Sequence, residues 1–230
     1  MQNWIVLCDF DGTIAQADVT DTLLERFGRA GWRAAEQAWR RGAIGSLECL
    51  AMQTGLLDMD AGGFDSTLAG IAIDPAFAAF AEAVAAAGTP LVILSDGYDR
   101  AIGALLEQHG LGRIPVRANR LNAVGNRAWQ LEFPYADAGC AVASGHCKCA
   151  SARTLANGAA MLLVGDGASD ACLAGRADMV FAKGQLARHC RERGIAHRAI
   201  DGFADALALL PDVLSGALTG QRHVARRVLG

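Results

Sequence analysis

Short apolar segments alternate along this chain with stretches of helical periodicity, and this alternation restricts the folds that the chain can adopt. Each apolar segment is followed by turn residues, which is typical of a buried strand. The predicted strands are 4–8, 91–94, 161–164, 179–182 and 199–200, and the predicted helices are 75–87, 98–109, 150–156, 186–193 and 203–214. Strands separated by helices form parallel sheets that are covered on both faces. We therefore expect an α/β fold with a doubly wound parallel sheet.

Two regions interrupt this alternation. Residues 16–73 show helical spacing without a strand pattern, which predicts a small helical cap inserted after the first strand. The predicted core domain then consists of residues 1–15 and 74–230, and its first helix starts at Asp74-Pro75. Residues 116–133 form short alternating segments around Gly125-Asn126, which predict a short β-hairpin excursion.

Asp9 and Asp11 directly follow the first predicted strand. Side chains alternate along a strand, so these two carboxylates point the same way where it ends. Two neighbouring carboxylates repel each other unless a cation or a proton lies between them. The pair therefore suits a metal ion together with a nucleophile, and a plain Asp-Gly turn is the alternative.

Three later segments supply further polar groups near the carboxyl ends of strands, where sheets of this kind bind ligands. Ser95-Asp96-Gly97 follows the strand at 91–94, and Asp166 and Asp170 follow the strand at 161–164. Lys148 lies near the start of a helix, and the only other lysine among the 21 basic residues is Lys183. A chain that uses arginine for surface charge makes each lysine a candidate for a specific task.

These groups suit the transfer of a phosphoryl group, which depends on charge neutralisation and in-line positioning. Mg²⁺ prefers oxygen ligands, and the predicted ligands are Asp9, Asp166 and a main-chain oxygen of Asp11. Asp9 would attack phosphorus and form an aspartyl phosphate. Asp11 would protonate the leaving alkoxide and then deprotonate the attacking water.

The phosphate oxygens need donors of their own. Ser95 and the amides of Asp96 and Gly97 would provide a hydroxyl and two N–H groups, and Lys148 would neutralise the remaining charge. Asp170 would orient Lys148 or a metal-bound water. Helix capping is the alternative role for Asp166 and Asp170.

The segments LCDFDGT, LVILSDG and LLVGDGASD, together with the isolated Lys148, resemble the four motifs of the haloacid dehalogenase superfamily. The resemblance covers roughly residues 1–14 and 75–205, and the helical insert matches the cap of the phosphoserine-phosphatase-like branch. It implies a nucleophile, a general acid/base, phosphate ligands and magnesium ligands. These are Asp9 as nucleophile, Asp11 as general acid/base, Ser95 and Lys148 as phosphate ligands, and Asp9, Asp11 and Asp166 as Mg²⁺ ligands. Thr13 is predicted as a further phosphate ligand. Ser169 departs from the asparagine that is common in the fourth motif.

A finer resemblance concerns the substrate. The segment ADMVFAKGQLARHCRERGI and the pair Cys147-Lys148 resemble methionine-salvage phosphatases that act on 2-hydroxy-3-keto-5-methylthiopentenyl-1-phosphate. They also resemble phosphoethanolamine/phosphocholine phosphatases, and phosphoserine is a third candidate substrate. We expect a Mg²⁺-dependent phosphatase that acts on a small phosphorylated metabolite.

Three other classes of function remain open. A phosphomutase would return the phosphoryl group to its substrate, a dehalogenase-type hydrolase would release halide without Mg²⁺, and a binding module would be inactive on every monoester. Asp11 argues against the dehalogenase, because the superfamily's dehalogenases lack the second carboxylate.

The composition excludes several partners. A net charge of −3 argues against a nucleic-acid surface, and the basic residues Arg222, Arg226 and Arg227 are interpreted as part of a solvated terminal helix. No apolar stretch approaches the roughly 20 residues of a membrane span, and no signal peptide is recognised at the start. The seven cysteines are interpreted as reduced thiols of a cytoplasmic protein. The oligomeric state stays open.

Other residues in and near the insert have two interpretations. Asp18, Thr20, Asp21, Arg40 and Arg41 are candidates to reach the substrate from the cap, whereas Trp32 and Trp39 are predicted to lie in the core. The group Cys140, His146, Cys147 and Cys149 lacks standard zinc-site spacing, so inert thiols are expected there.

Overall fold

A computed structural model describes residues 3–218 of the chain. In this range the strands are β1 (Trp4–Cys8), β2 (Leu91–Tyr98), β3 (Val116–Ala123), β4 (Trp129–Glu132), β5 (Ala160–Gly165), β6 (Met179–Ala182) and β7 (His197–Ala199). The helices are α1 (Val19–Phe27), α2 (Trp32–Arg40), α3 (Ser46–Gly55), α4 (Ala61–Leu68), α5 (Phe77–Ala86), α6 (Asp99–Gln108), α7 (Lys148–Ala156), α8 (Ala171–Ala174), α9 (Gly184–Arg193) and α10 (Phe203–Leu214). A short 3₁₀ helix, Ala168–Asp170, precedes α8.

The strands form one sheet in the order β4-β3-β2-β1-β5-β6-β7. All neighbours are parallel except β3 and β4. Strand β1 pairs with β2 on one side and with β5 on the other. The chain therefore changes direction across the sheet at β1, which creates a crevice at the carboxyl ends of the strands. The predicted doubly wound α/β fold is confirmed.

Both faces of the sheet are buried because β1 is apolar at every position. Trp4, Val6 and Cys8 belong to one apolar cluster with residues of α5, α6 and α10. Ile5 and Leu7 belong to a second cluster with residues of α7, α8 and α9. Successive side chains of β1 thus pack on opposite faces of the sheet, and Asp9 follows at its carboxyl end.

Residues 16–73 contain four helices, α1 to α4, and no named strand. Asp18 caps α1 by accepting from Asp21 N, and Asp60 caps α4 by accepting from Gly63 N. The apolar side chains of the insert, including Leu23 and Phe64, belong to the same cluster as one face of the sheet. The insert therefore packs directly onto the core.

The predicted hairpin is present as β3 and β4, but it is not an excursion from the sheet. Strand β3 pairs in parallel with β2, so the hairpin extends the sheet by two strands. The physical reason is its buried apolar face, which includes Leu121 and Leu131. Trp129 of the hairpin donates from Nε1 to the main-chain oxygen of Met59 at 2.7 Å and thereby fastens the insert.

Some element boundaries differ from those predicted. Ser95-Asp96-Gly97 was predicted as a loop, yet it lies inside β2, where the register with β3 shifts. A shift of this kind is a β-bulge, which redirects side chains locally. Helix α5 begins at Phe77 rather than at Asp74-Pro75. Asp74 Oδ1 accepts from Ala76 N at 2.9 Å in the turn that precedes the helix.

Two other expectations concern the end of the chain and the membrane. The last strand covers residues 197–199 rather than 199–200. Arg222, Arg226 and Arg227 lie outside the described residues. Among the helices of residues 3–218, none combines the length and the apolar character that crossing a membrane would require.

Candidate active site

The candidate site lies at the carboxyl ends of three neighbouring strands. Asp9 follows β1, Ser95 lies in the last part of β2, and Asp166 follows β5. Because β1 is between β2 and β5, these three side chains come to one edge of the sheet. Asp9 N also donates to the main-chain oxygen of Val164 at 2.9 Å, which holds the end of β1 against β5.

Lys148 lies between two carboxylates. Its Nζ is 2.8 Å from Asp9 Oδ1 and 2.7 Å from Asp170 Oδ1. Burial alone lowers the pKa of Lys148, but the carboxylates of Asp170 and Asp9 outweigh it and raise this pKa above the usual value. Lys148 is therefore a permanent cation at this site. The predicted contact between Asp170 and Lys148 is present.

Carboxylate oxygens of Asp9, Asp166 and Asp170 lie within 4.8 Å of one another and form a group that could hold a metal ion. Burial and repulsion from Asp170 raise the pKa of Asp9, although Lys148 opposes this effect. Burial also raises the pKa of Asp166. Concentrated negative charge of hard oxygen donors is what a divalent cation such as Mg²⁺ requires, so these residues fit such an ion.

The position of Asp166 depends on the first motif. Thr13 donates from Oγ1 to Asp166 Oδ1 at 2.9 Å. Gly12 has φ +69°, and a Cβ there would lie 2.6 Å from Asp166 Oδ2. Glycine is therefore required both for its backbone conformation and for space. Thr13 was predicted as a phosphate ligand. Its hydroxyl donates to Asp166 here, so phosphate binding by Thr13 stays a prediction.

Asp11 faces the other side of the site. Its Oδ1 accepts from Val19 N at 2.9 Å, and its Oδ2 accepts from Ser95 Oγ at 3.4 Å. Burial, followed by repulsion from Asp18, raises the pKa of Asp11 to about 7. Its carboxylate is not part of the metal-holding group. The predicted contribution of Asp11 to metal binding is through its main chain, and it stays a prediction.

The bulge in β2 brings Ser95 toward Asp11. Gly97 N donates to Ser95 Oγ at 2.9 Å, and a Cβ on Gly97 would lie 2.5 Å from Asp11 Oδ2. The bulge thus needs glycine at position 97, because the Asp11 carboxylate approaches the backbone closely there. The Gly97 amide, predicted to bind phosphate, is engaged with Ser95 here, so phosphate binding by this amide stays a prediction.

Asp96 joins three parts of the molecule through its side chain and its main-chain oxygen. Its Oδ1 accepts from His146 N at 2.5 Å, and its Oδ2 accepts from Ser46 Oγ of α3 at 3.2 Å. Its main-chain oxygen accepts from Asn119 Nδ2 at 2.6 Å. Sequence reasoning assigned only the Asp96 amide to the site. The side chain instead ties the bulge to the insert and to the segment before Lys148.

His146 is a residue that sequence reasoning missed. It is buried, its Nδ1 lies 3.1 Å from the main-chain oxygen of Ser95, and its Nε2 lies 2.7 Å from Ser151 Oγ. Burial lowers the pKa of His146 to about 4. Sequence spacing could not reveal the contact of His146 with Ser95, because the two residues are 51 positions apart in the chain. Within the described residues, His146 and the nearby thiols form no metal-holding group.

A cavity of about 300 Å³ opens above these residues. Its floor includes Asp9, Asp11, Ser95, Asp96, Gly97 and Asp166 through Ser169. Its wall from the insert consists of Asp18, Thr20, Asp21, Glu36, Trp39, Arg40, Ser46, Cys49, Leu50 and Gln53. Four of the five cap candidates therefore reach the cavity, and Arg41 does not line it.

The prediction for the two tryptophans of the insert is half right. Trp32 is buried in the core, as expected. Trp39 is 38% exposed and lines the cavity, so its assignment to the core is wrong. Helical spacing places Trp39 on a face of α2 but does not show that this face meets a cavity.

A comparison with protein-family models decides the family. The model described as haloacid dehalogenase-like hydrolase matches residues 6–175. The chain belongs to this family. The match includes all four motifs that carried the resemblance in the sequence, and the hydrolase class predicted for the protein is confirmed.

Curated relatives extend over most of the chain. A protein of Exiguobacterium sp. named 2-hydroxy-3-keto-5-methylthiopentenyl-1-phosphate phosphatase is 28% identical over 90% of this chain and 97% of its own. A protein of the same name from Bacillus pumilus is 28% identical over 90% of this chain and 91% of its own. Pdp3-interacting factor 1 of Schizosaccharomyces pombe is 29% identical over 87% of this chain and 91% of its own.

Solved structures share the fold. A phosphoserine phosphatase with a phospho-aspartyl intermediate analogue superposes with a TM-score of 0.68, at 19% identity, over 90% of this chain and 99% of its own. A substrate-bound phosphoserine phosphatase superposes with a TM-score of 0.67, at 18% identity, over 90% of this chain and 98% of its own. The fold predicted from the resemblance is thereby confirmed.

Proposed function

We propose that this protein is a Mg²⁺-dependent phosphatase that hydrolyses a phosphomonoester of a small metabolite through an aspartyl phosphate on Asp9. The observation that carries the proposal is the position of Asp9 on the cavity floor. There its Oδ1 lies 2.8 Å from Lys148 Nζ, and its carboxylate belongs to a group with Asp166 and Asp170. A nucleophilic carboxylate needs cations around it to approach a phosphate dianion; Lys148 supplies one, and the carboxylate group could hold a second as a metal ion.

In the first step Asp9 attacks phosphorus. Its Oδ1 accepts from Phe10 N and Lys148, whereas its Oδ2 contacts only the Ser169 hydroxyl at 3.5 Å and is the less engaged oxygen. The bond from phosphorus to the ester oxygen breaks, and its electron pair goes to the leaving alkoxide. Lys148 and the Ser95 hydroxyl stabilise the charge on the phosphoryl oxygens.

Asp11 moves the protons. A carboxyl group with a pKa of about 7 can donate a proton to the leaving alkoxide near neutral pH and take one from water in the second step. Water then attacks phosphorus, the bond between phosphorus and Asp9 breaks, and phosphate leaves. The two steps together return Asp9 and Asp11 to their starting states.

Asp9, Asp166 and the main chain of Asp11 would hold Mg²⁺. When bound, the ion supplies charge neutralisation for the phosphoryl oxygens and for the carboxylate of Asp9. Asp170 then acts as a positioning residue, because its Oδ1 contacts Lys148 and its Oδ2 accepts from the Asp166 amide at 3.3 Å.

Residues 16–73 form the proposed cap domain, and residues 1–15 and 74–230 form the proposed core domain. The support for a substrate-selecting cap is that helices α1, α2 and α3 of the insert supply one wall of the cavity. A wall over the phosphate site excludes water during transfer and contacts the part of the substrate beyond the phosphate. A cavity of about 300 Å³ suits a small metabolite.

The names of the relatives supply one candidate substrate, 2-hydroxy-3-keto-5-methylthiopentenyl-1-phosphate. The resemblance to methionine-salvage phosphatases supplies the corresponding role. Phosphoserine and phosphoethanolamine or phosphocholine are the other candidates. We also propose a cytoplasmic location, which is supported by the absence of a disulfide among the seven cysteines, all of which lie in the described range.

The experiment is a phosphate-release assay with p-nitrophenyl phosphate and a panel of phosphorylated metabolites, with Mg²⁺ and with a chelator. We expect Mg²⁺-dependent release that Asp9→Asn abolishes and that Asp65→Asn, on the exposed surface of α4, preserves. Transfer of phosphate back to the substrate without release would favour a phosphomutase. Activity that persists in the chelator or in Asp9→Asn would contradict the proposal.

A further inference from the structure

The wall of the cavity that the insert supplies is acidic. Asp18, Asp21 and Glu36 contribute three carboxylates, and Arg40 contributes the one guanidinium among the described lining residues. Arg40 already forms an ion pair with Glu36 on its own helix. The wall therefore has excess negative charge.

We infer that the preferred substrate is a phosphorylated amine whose ammonium group binds against Asp18 and Asp21 and also donates a hydrogen bond to the side-chain oxygen of Gln53. This inference rests on the proposed phosphatase function and narrows its substrate class. It favours a monoester of an amino alcohol over 2-hydroxy-3-keto-5-methylthiopentenyl-1-phosphate, whose chain carries no charge beyond the phosphate.

Gln53 provides an independent indication that a ligand binds here. Its residue is 4% exposed, it lies in α3, and it lines the cavity. Within residues 3–218 its carboxamide has no hydrogen-bond partner. Among the described residues the sealed side-chain polar atoms without a partner are Trp4 Nε1 and Asn119 Oδ1, so the Gln53 carboxamide is open to the cavity. A ligand in the cavity that offers one donor or acceptor would satisfy it.

Charge distinguishes the candidate substrates. Burial, followed by repulsion from Asp18 and Glu36, raises the pKa of Asp21 to about 6. An ammonium group near these carboxylates would be attracted, because opposite charges interact strongly where water is partly excluded. A neutral chain gains nothing from them. A carboxylate, as in phosphoserine, would be repelled, and Arg40 is already occupied by Glu36.

Trp39 adds an aromatic surface to the same wall. It is exposed to the cavity on α2, together with Glu36 of that helix. Cations bind favourably over the face of an indole. The wall thus offers a hydrophobic contact as well as charge to a small ammonium group.

The decisive comparison is between phosphoethanolamine and n-propyl phosphate, which differ mainly in replacing the ammonium with a methyl group. We expect kcat/KM for phosphoethanolamine to exceed that for n-propyl phosphate at least tenfold at pH 7.5. Phosphocholine in the same assay distinguishes a site for a primary ammonium from one that also accepts a quaternary ammonium. The kcat/KM values for phosphoserine and for 2-hydroxy-3-keto-5-methylthiopentenyl-1-phosphate should be lower than that for phosphoethanolamine.

Variants locate the effect. Asp21→Asn should reduce the ratio between phosphoethanolamine and n-propyl phosphate severalfold, and Gln53→Leu should raise KM for phosphoethanolamine roughly tenfold. Glu25→Gln removes a carboxylate of the same helix, α1, that does not line this cavity, and it should leave the ratio unchanged.

Two outcomes would overturn the inference. If n-propyl phosphate or 2-hydroxy-3-keto-5-methylthiopentenyl-1-phosphate is hydrolysed as efficiently as phosphoethanolamine, the ammonium site does not exist, although the phosphatase function stands. The same holds if Asp21→Asn retains the full ratio. If no monoester in the panel releases phosphate, the phosphatase function fails, and this inference fails with it.

Discussion

Lys148 Nζ lies 2.8 Å from Asp9 Oδ1, and both side chains are almost inaccessible to solvent, at 3% and 7% exposure. A buried ion pair is maintained only when each charge keeps its partner. Asp170 lies on the other side of Lys148, at 2.7 Å. The lysine therefore contacts, through the same side chain, the buried charge of the folded state and the carboxylate that we propose as the nucleophile.

Replacement of Lys148 should affect stability and activity together. Lys148→Met leaves two buried carboxylates without their cation, and we expect the free energy of unfolding to fall by about 3 kcal/mol. Phosphatase activity should be lost as well. Urea unfolding and phosphate release measure the two effects.

Two further variants test the cause of that destabilisation. Lys148→Met combined with Asp170→Asn should recover part of the lost stability, because one of the unpaired charges is removed. Lys183→Met is the matched control, since Lys183 Nζ donates only to the main-chain oxygen of Thr13 at 3.4 Å. A double variant that is less stable than Lys148→Met would contradict this explanation.

Gly12→Ala should weaken metal binding. A Cβ at this position would lie 2.6 Å from Asp166 Oδ2, so Asp166 must move from its place beside Thr13. We expect the Mg²⁺ concentration for half-maximal activity to rise at least tenfold. Titration of activity with Mg²⁺ measures it.

Gly110→Ala separates this clash from backbone strain. Gly110 has φ +71°, close to the +69° of Gly12, but a Cβ there would meet nothing within 4 Å. Both variants should lose similar stability from the left-handed backbone, and only Gly12→Ala should change the Mg²⁺ requirement. Equal Mg²⁺ requirements in the two variants would show that Asp166 tolerates the added methyl group.

His146 should make folding stability depend on pH. Burial lowers its pKa to about 4, so the folded protein excludes a proton that the unfolded chain binds below about pH 6.5. The stabilisation from neutral His146 is complete above about pH 6.5 and is lost as the pH falls from there towards 4. The total loss is roughly 3 kcal/mol.

The contribution of His146 is measured as a difference, because raised pKa values of buried carboxylates act with the opposite sign. Urea unfolding of the wild type and of His146→Gln at pH 7.5 and pH 4.5 isolates it. We expect the advantage of the wild type at pH 7.5 to shrink at pH 4.5. NMR titration of the wild-type imidazole near pH 6.5 would contradict the account.

The sequence predicted β1, β6 and α10 to the residue, because their apolar patterns end abruptly at turn residues. It placed Ser95 in a loop rather than in β2, because Ser-Asp-Gly is typical of turns. The cause of the difference is the pairing of β2 with β3, which continues past a bulge. Pairing between distant segments has no signature in local composition.

The arrangement of the candidate site was predictable for residues of the motifs and not where it depends on packing. Asp9, Lys148 and Asp170 come together as expected. His146 and Gln53 have no motif, and their relation to the site arises from segments that fold against β2 and above the cavity. Such residues are found only once the elements have been assembled in three dimensions.

The most direct test of the account is to trap the phosphorylated enzyme. The protein is mixed with a ³²P-labelled monoester and Mg²⁺, quenched in acid within milliseconds and digested for peptide mapping. We predict label on the peptide that contains Asp9, sensitive to hydroxylamine and absent from Asp9→Asn. Release of phosphate at the full rate by Asp9→Asn, or label on a peptide that lacks Asp9, would contradict the assignment of Asp9 as the nucleophile.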